Sequence, residues 1–137
     1  MSPYVIVGCG AEKRPGRHPA VDLYVGPLFV SRLRYARLLG GPHAILSGLY
    51  GLIEDPQRVV PSYDFRLSER GRDLGHWIET QALAAKHYAA GRPIVLLASG
   101  EYAKLADACP VPVDVPGRGL PIGKLLREMK RLAEEAS

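Results

Sequence analysis

The segment His43-Ala44-Ile45-Leu46-Ser47-Gly48-Leu49-Tyr50-Gly51 decides the fold that the chain is predicted to adopt. The run at 43–46 stops abruptly at Ser47, as a buried strand does where it leaves a sheet. Gly48 and Gly51 then leave backbone N–H groups accessible to a bound molecule. Because open α/β sheets bind ligands at the carboxyl ends of their strands, the segment predicts a site as well as a strand.

Two other segments have the same design. A β-branched run at 4–7 leads into Gly8-Cys9-Gly10, and the apolar run at 93–98 leads into Ser99-Gly100-Glu101-Tyr102. If the three strands are parallel, their ends lie along one edge of the sheet and can form one pocket. Glycines also make the tight strand-to-loop turns that any α/β domain needs, so one such end alone is weak evidence. Three together favour a binding site.

Helical periodicity occupies the intervals between these strands. Four helices are predicted. The first lies at about 27–39, and the second follows an N-cap at Ser68 and ends at about 90. The third is a short helix that follows 99–102 and ends at about 108, and the fourth lies at about 121–135. In the first of them, Arg32, Arg34 and Arg37 are expected on the outer face.

The remaining segments are predicted to be irregular or peripheral. Residues 11–22 are expected to form a loop, 52–66 to be mostly irregular, and 111–115 to be an edge strand between prolines. The alternation of strands and helices predicts an α/β fold with three layers, in which a mostly parallel sheet of four to five strands is flanked by helices.

Length and composition predict one domain over residues 1–137, large enough to bury a core. No apolar run approaches the roughly 18 residues of a membrane span, and no signal peptide pattern is present. We therefore expect a cytoplasmic protein without a membrane partner. Cys9, Cys109 and the four histidines show no ligand spacing, so no metal and no cofactor is predicted.

The charge pattern is compatible with an anionic partner. The net charge is +4, and thirteen of the 18 basic residues are arginine, whose planar fork suits phosphate and carboxylate groups. Solvated helix faces would explain the same residues, and the sequence leaves both interpretations open.

The candidate ligand-binding residues lie at strand ends and in glycine-rich loops. Lysine and arginine would neutralise a phosphate, serine and glycine would cradle it, and tyrosines would stack on a base. The set comprises Gly10, Lys13, Tyr24, Ser47, Gly48, Tyr50, Tyr63, Ser99, Gly100 and Arg118. Structural alternatives exist: Ser99 can simply cap a helix, tyrosines can border the core, and Arg118 can be solvated in a flexible loop.

Three residues are candidates for catalysis. Asp64 can act as a general base or accept a ribose hydroxyl, or it can stabilise a turn. Glu101 is the carboxylate expected to meet the other strand ends. Cys9, close in sequence to Lys13, can be a nucleophile, but no histidine is placed to act as its base, which favours a small buried hydrophobe. No Walker A motif is present, which argues against an ATPase.

In their order along the chain, these motifs resemble the YaaA family of peroxide-stress proteins. Residues 46–52 are similar to the family's Leu-Ser-Gly-Leu-Tyr-Gly motif, and 61–67 to its Pro-Tyr-Arg-Leu-like segment. Residues 22–26 resemble its Tyr-x-Gly segment, and Lys13 corresponds to the lysine of its N-terminal loop. The chain is more similar still to short bacterial and phage relatives, whose last helix opens with Gly-Leu-x-Ile-Gly, here Gly119-Leu120-Pro121-Ile122-Gly123.

The resemblance implies a nucleic-acid context. YaaA proteins are associated with DNA binding and protection from oxidative damage, and the short relatives occur fused to or near base-modifying transglycosylases. YaaA proteins are about twice as long, and their helix-hairpin-helix-like DNA element has no recognisable counterpart in these 137 residues.

Two functions are therefore expected. The first is a nucleotide- or nucleic-acid-binding domain with a strand-end pocket, linked to DNA protection or base modification. The second is an N-glycosidic hydrolase or transferase acting on a nucleoside or nucleotide, with Glu101 or Asp64 as acid/base or nucleophile. A third interpretation is an interaction domain whose pocket is vestigial.

Overall fold

The computed structural model describes all residues, Met1–Ser137. Its strands are β1 (Tyr4–Gly8), β2 (Arg17–Pro19), β3 (His43–Ser47), β4 (Gly51–Ile53), β5 (Val59–Pro61), β6 (Ile94–Leu97) and β7 (Val113–Asp114). Its α-helices are α1 (Ala20–Leu23), α2 (Pro27–Leu38), α3 (Leu74–Ala89), α4 (Leu105–Ala108) and α5 (Ile122–Ala136). Two 3₁₀ helices, Leu67–Asp73 and Gly100–Lys104, precede α3 and α4.

Five of the strands form one sheet in the order β4-β3-β1-β6-β7. β1 lies at its centre and pairs in parallel with β3 and β6, and β7 pairs in parallel with β6. Only β4 is antiparallel, against β3. β2 and β5 form a separate antiparallel ribbon. The predicted α/β fold with a mostly parallel sheet is confirmed.

Side chains alternate between the two faces of β1 and so define two core clusters. Tyr4 and Ile6 pack with the apolar side of α3 in one cluster. Val5 and Val7 pack in the other cluster, with residues of α2 and with Met129 of α5. Helices therefore cover both faces, which gives the three layers that the sequence predicted.

Both sheet edges are short. β7 pairs over only two residues, in a segment that contains Pro110, Pro112 and Pro116, as expected for an edge strand. At the opposite edge, the backbone N–H of Leu52 in β4 donates to Gln81 Oε1 at 2.8 Å. A side chain of α3 therefore occupies a donor of this edge strand.

The two segments predicted as loop or irregular structure contain short strands, so those predictions were wrong in part. β4 and β5 lie within 52–66 or at its border, β2 lies within 11–22, and α1 begins in that segment and ends just after it. β4 returns against β3 because Gly51 adopts a φ of 75°, which reverses the chain. β2 and β5 form only against each other, across about forty residues of sequence, so local composition does not reveal them.

The helix after this segment begins later than predicted. Residues Leu67–Asp73 form a 3₁₀ helix whose N-cap is Arg66, not Ser68, because the Glu69 carboxylate accepts the Arg66 N–H at 2.6 Å. Gly71, with a φ of 56°, interrupts the helical backbone, and α3 starts at Leu74. The N-cap was therefore predicted two residues after its actual position, and the residues that follow it form a 3₁₀ helix before the α-helix begins.

Arg32 contradicts the prediction that the arginines of α2 face solvent. Its residue exposure is 5%, whereas Arg34 and Arg37 are exposed. Its Nε is buried without a hydrogen-bond partner, and burial lowers the pKa of Arg32 to about 10. Arg32 lies on the same face of α2 as the buried residues Phe29, Leu33 and Ala36. The buried face of the helix is therefore wider than the helical periodicity predicted.

No helix has the length and apolar character needed to cross a membrane.

Candidate functional site

The ends of β1, β3 and β6 lie side by side because β1 pairs in parallel with both neighbours. Gly8 is in register with Leu46 of β3, and Val7 with Leu97 of β6. The Cys9 N–H continues the ladder by donating to the Leu46 carbonyl at 3.0 Å. The predicted meeting of the three strand ends along one edge is confirmed.

A hydrogen-bond network that runs from buried to exposed residues fixes the end of β3. The Tyr63 hydroxyl lies 2.7 Å from the Tyr24 hydroxyl and 2.8 Å from Ser47 Oγ. Ser47 Oγ also accepts the Tyr50 N–H at 3.1 Å, while the Tyr50 hydroxyl donates to the Pro61 carbonyl at 2.8 Å. Four residues predicted separately as site residues are thus one connected group, and they hold the segment after β5 over the strand end.

Cys9 lies between two phenols. Its thiol donates to the Tyr102 hydroxyl at 3.5 Å, and the Tyr63 hydroxyl lies 4.0 Å from Sγ. The Tyr102 ring packs edge-on against Trp77, with ring centroids 6.5 Å apart. A Cβ at Gly48 would come within 2.5 Å of the Tyr102 hydroxyl, so the approach of this phenol requires glycine there.

The phenols of Tyr24, Tyr63 and Tyr102 stay protonated at neutral pH because their pKa values are raised. Burial, followed by the nearby Cys9 sulfur, raises the pKa of Tyr24 to about 12. The same two causes, in the same order, raise the pKa of Tyr63 and of Tyr102 well above the usual tyrosine range. Each hydroxyl therefore carries a proton to donate within the site or to a bound molecule.

Beside this group opens a cavity of about 270 Å³, here called the strand-end cavity. It is lined by Cys9, Gly10, Ala11, Lys13, Tyr63, Asp64, Phe65, Arg66, Leu67 and Tyr102. Lys13 Nζ lies 4.4 Å from the centroid of the Tyr63 ring and donates to the Ala11 carbonyl at 3.0 Å. The cavity therefore combines cationic groups, aromatic rings, one carboxylate and one thiol.

The structure brings most of the predicted site residues to this cavity or directly behind it. Cys9, Gly10, Lys13, Tyr63 and Asp64 line it. Tyr24, Ser47 and Tyr50 support Tyr63 from behind, and Gly48 contacts Tyr102. These residues come from the end of β3, from the loops after β1 and β3, from the end of α1 and from the segment after β5.

Four predicted residues neither line the cavity nor support it from behind. Glu101 forms an ion pair with Lys104 at 2.8 Å, one turn further along its 3₁₀ helix. Arg118 forms a two-pronged pair with Asp107 at 2.8 and 2.7 Å. Ser99 and Gly100 follow β6 without reaching the cavity, and the Ser99 side chain makes no capping hydrogen bond.

Arg70 was missed as a site residue. Its guanidinium donates to the Gly48 carbonyl from Nε at 3.1 Å and from Nη2 at 2.7 Å. The same group lies 4.6 Å from the Trp77 ring centroid and 5.3 Å from that of Phe65. The sequence showed an arginine cluster at 66–72 between aromatic residues, which is the signal that could have found it.

Phe65, Arg66 and Leu67 were also missed as lining residues. They follow Asp64 directly. Phe65 and Arg66 belong to the segment predicted as irregular and Leu67 comes next, so nothing local placed them beside the end of β1.

No curated protein and no solved structure gives a significant match to the chain. One family does match, over residues 4–131, and this range extends from β1 into α5 and includes every residue that lines the strand-end cavity. The chain therefore belongs to DUF6884, a family of unknown function.

Proposed function

We propose that the protein binds a nucleotide, free or as one unit of a nucleic acid, in the strand-end cavity. The observation that carries this proposal is the composition of the lining: Lys13 and Arg66 lie in the same cavity as the rings of Tyr63, Phe65 and Tyr102. Cations bind phosphate and aromatic rings stack on bases, so the two parts of a nucleotide each have a matching surface.

The size of the cavity favours partial enclosure of the ligand. Its volume of about 270 Å³ is just below the range of about 300 to 1,000 Å³ that small-molecule sites usually have. One base or one sugar-phosphate unit would fill it, and the remainder would lie outside. A nucleotide within a strand is compatible with this arrangement.

The hydrogen-bond network supports a preorganised site. Tyr63 is held by Tyr24 and Ser47, so a ligand would not have to immobilise it. The protonated phenols provide donors for a base edge, a sugar oxygen or a phosphate. The net charge of +4 and the resemblance to YaaA proteins point to the same class of partner.

Titration with the four nucleoside monophosphates and with a short single-stranded oligonucleotide, followed by calorimetry, tests the proposal. Lys13→Gln and Arg66→Gln should each weaken binding about tenfold, the usual size of one lost charge-assisted contact. Arg34→Gln, at an exposed arginine of α2, is the matched control and should leave the affinity unchanged. Absence of binding, or binding that both variants retain in full, would contradict the proposal.

Salt dependence separates the two forms of the ligand. Binding of a nucleic acid should weaken steeply between low and moderate salt because several counterions are released, whereas one mononucleotide should show a shallow slope.

Hydrolysis or transfer at the N-glycosidic bond is the alternative, and the position of Asp64 favours it. Asp64 is the carboxylate that lines the cavity, beside Tyr63, while Glu101 pairs with Lys104. The enzyme would therefore rely on Asp64 alone with tyrosine donors, and not on two facing carboxylates. Free base released from a nucleotide panel by the wild type and not by Asp64→Asn would establish this activity; no release from any member would exclude it for that panel.

A further inference from the structure

A second cavity lies at the amino-terminal ends of β6 and β7. The strand-end cavity lies at the carboxyl-terminal ends of the strands, on the opposite side of the sheet's length. The second cavity measures about 720 Å³ and is called here the amino-edge cavity. Its lining residues are Lys86, Ala89, Gly91, Arg92, Pro93, Ile94, Val111, Pro112, Val113 and Asp114. None of them lines the strand-end cavity.

The fold explains why this space is open. The connection from β6 to β7 contains only a five-residue 3₁₀ helix and the four-residue α4, whereas the 16-residue α3 covers the same face further along the sheet. A full-length connecting helix would pack over β6 and β7. The short connection leaves this face uncovered at the amino-terminal ends of β6 and β7, between the end of α3 and the segment before β7.

The floor of the amino-edge cavity is apolar. Ala89 and Ile94 belong to the core cluster on the α3 side of the sheet, and Val111 and Val113 pack against that cluster. Two prolines, Pro93 and Pro112, extend this surface. Ala89 and Ile94 are themselves buried, so the accessible apolar surface belongs to the half-buried valines and the two prolines. An apolar ligand body would replace water over that surface.

The charged side chains on this side of the sheet are cationic. Asp114 is in register with Val95, which packs against the opposite cluster, so its side chain points to the α2 side. Burial, and after it the Asp114 carboxylate, raises the pKa of Tyr35 on α2, in agreement with that direction. Lys86 is exposed and has no ion pair, and Arg92 Nη1 donates to the Ser2 carbonyl at 2.9 Å.

We propose that the amino-edge cavity binds a small amphiphile with an apolar body and one carboxylate. The apolar body lies on Val111, Pro112 and Val113, above the buried Ile94, and the carboxylate faces Lys86 and Arg92. The cavity volume falls within the range of about 300 to 1,000 Å³ in which small-molecule sites occur. This site is independent of the nucleotide proposal, since the two cavities share no residue.

Octanoate is the probe, with 1-octanol as its uncharged counterpart of equal chain length. Titration of ¹⁵N-labelled protein should give saturable shifts of the backbone amides of Gly91, Arg92, Ile94, Val111, Val113 and Asp114. Octanoate should bind more tightly than octanol. Lys86→Glu should weaken octanoate binding at least about fivefold and leave octanol binding unchanged, because a charged contact contributes about that much. Lys86 is exposed and unpaired, so its replacement removes no internal ion pair.

Lys130→Glu, at an exposed lysine of α5 outside the cavity, makes the same charge change and should leave octanoate binding as it is in the wild type. The proposal is overturned if octanoate does not saturate by about 10 mM, if its shifts map to the strand-end cavity, or if octanol binds as tightly as octanoate. Equal weakening by Lys86→Glu and Lys130→Glu would also overturn it, because the effect would then be one of net charge.

Discussion

Arg32 is a buried cation in a helix whose other arginines face water. Its guanidinium forms no ion pair, and Nε has no hydrogen-bond acceptor. The lowered pKa of Arg32, about 10, reflects the free energy of removing the charge from water. Burial of a charge without a partner costs stability, so this residue is expected to weaken the fold at neutral pH.

Arg32→Met should therefore raise the free energy of unfolding at pH 7 by about 1 to 3 kcal/mol, because the thioether keeps much of the packing and removes the desolvated charge. Urea denaturation measures the change. Arg34→Met, two residues away on the exposed side of α2, should stay within about 0.5 kcal/mol of the wild type. A loss of stability in Arg32→Met would show that the arginine's own contacts outweigh its desolvation.

Gly48 and Tyr102 should be coupled. Gly48→Ala would place a methyl group 2.5 Å from the Tyr102 hydroxyl and should cost about 1 to 3 kcal/mol of stability. Tyr102→Phe removes that oxygen, so the double variant should recover most of the loss. Gly10→Ala, at a glycine with open space around it, is the control and should cost little. If denaturation midpoints in the double-mutant cycle are additive, the contact does not explain the glycine.

At the scale of elements, Arg70 joins the end of β3 to the 3₁₀ helix Leu67–Asp73. Replacement of Arg70 is expected to be costly. Its guanidinium donates two hydrogen bonds to one carbonyl, and the same planar group lies near the rings of Phe65 and Trp77. A lysine has neither the fork nor the planar surface. One wall of the strand-end cavity depends on this connection.

Arg70→Lys should increase hydrogen exchange at the amides of residues 48–51 and weaken ligand binding, with a stability loss of about 1 to 2 kcal/mol. Arg72→Lys, at an exposed position of the same 3₁₀ helix, should change none of these quantities. Exchange rates in 48–51 that are the same in both variants would contradict the proposed role of Arg70.

The elements that could be predicted are those whose pattern is local. β1, β3 and β6 are apolar runs with a glycine at their end or within three residues after it, and α2 and α5 have clear boundary signals. Their positions therefore agree with expectation. β2 and β5 contain prolines and exist through pairing with each other, which no window of sequence contains. The role of residues 65–67 in lining the cavity could not be predicted for the same reason, because their position depends on the path of the chain after β5.

At the scale of the whole molecule, the protonated phenols connect folding to alkaline pH. Tyrosine titrates near pH 10 in an unfolded chain, whereas the pKa of Tyr24 in the fold is about 12. Between these values the unfolded chain has released a proton that the folded chain retains. The contribution of Tyr24 to stability is therefore complete below pH 10 and is lost as the pH rises towards 12.

Tyr24→Phe should reduce this alkaline loss. Relative to the variant, the wild type should lose about 2 kcal/mol of unfolding free energy between pH 9 and pH 12, as measured by urea denaturation at each pH. Tyr88→Phe, at an exposed tyrosine outside the network, should follow the wild type across the range. Identical pH profiles for the wild type and Tyr24→Phe would contradict the link.

The two short edges of the sheet have a consequence for how copies of the protein meet. β7 offers two residues between prolines, and the Leu52 N–H of β4 is occupied by Gln81. Neither edge presents a row of free donors and acceptors on which a strand from another molecule could add. Polymerisation through the edges of the five-stranded sheet is therefore disfavoured even in concentrated solution.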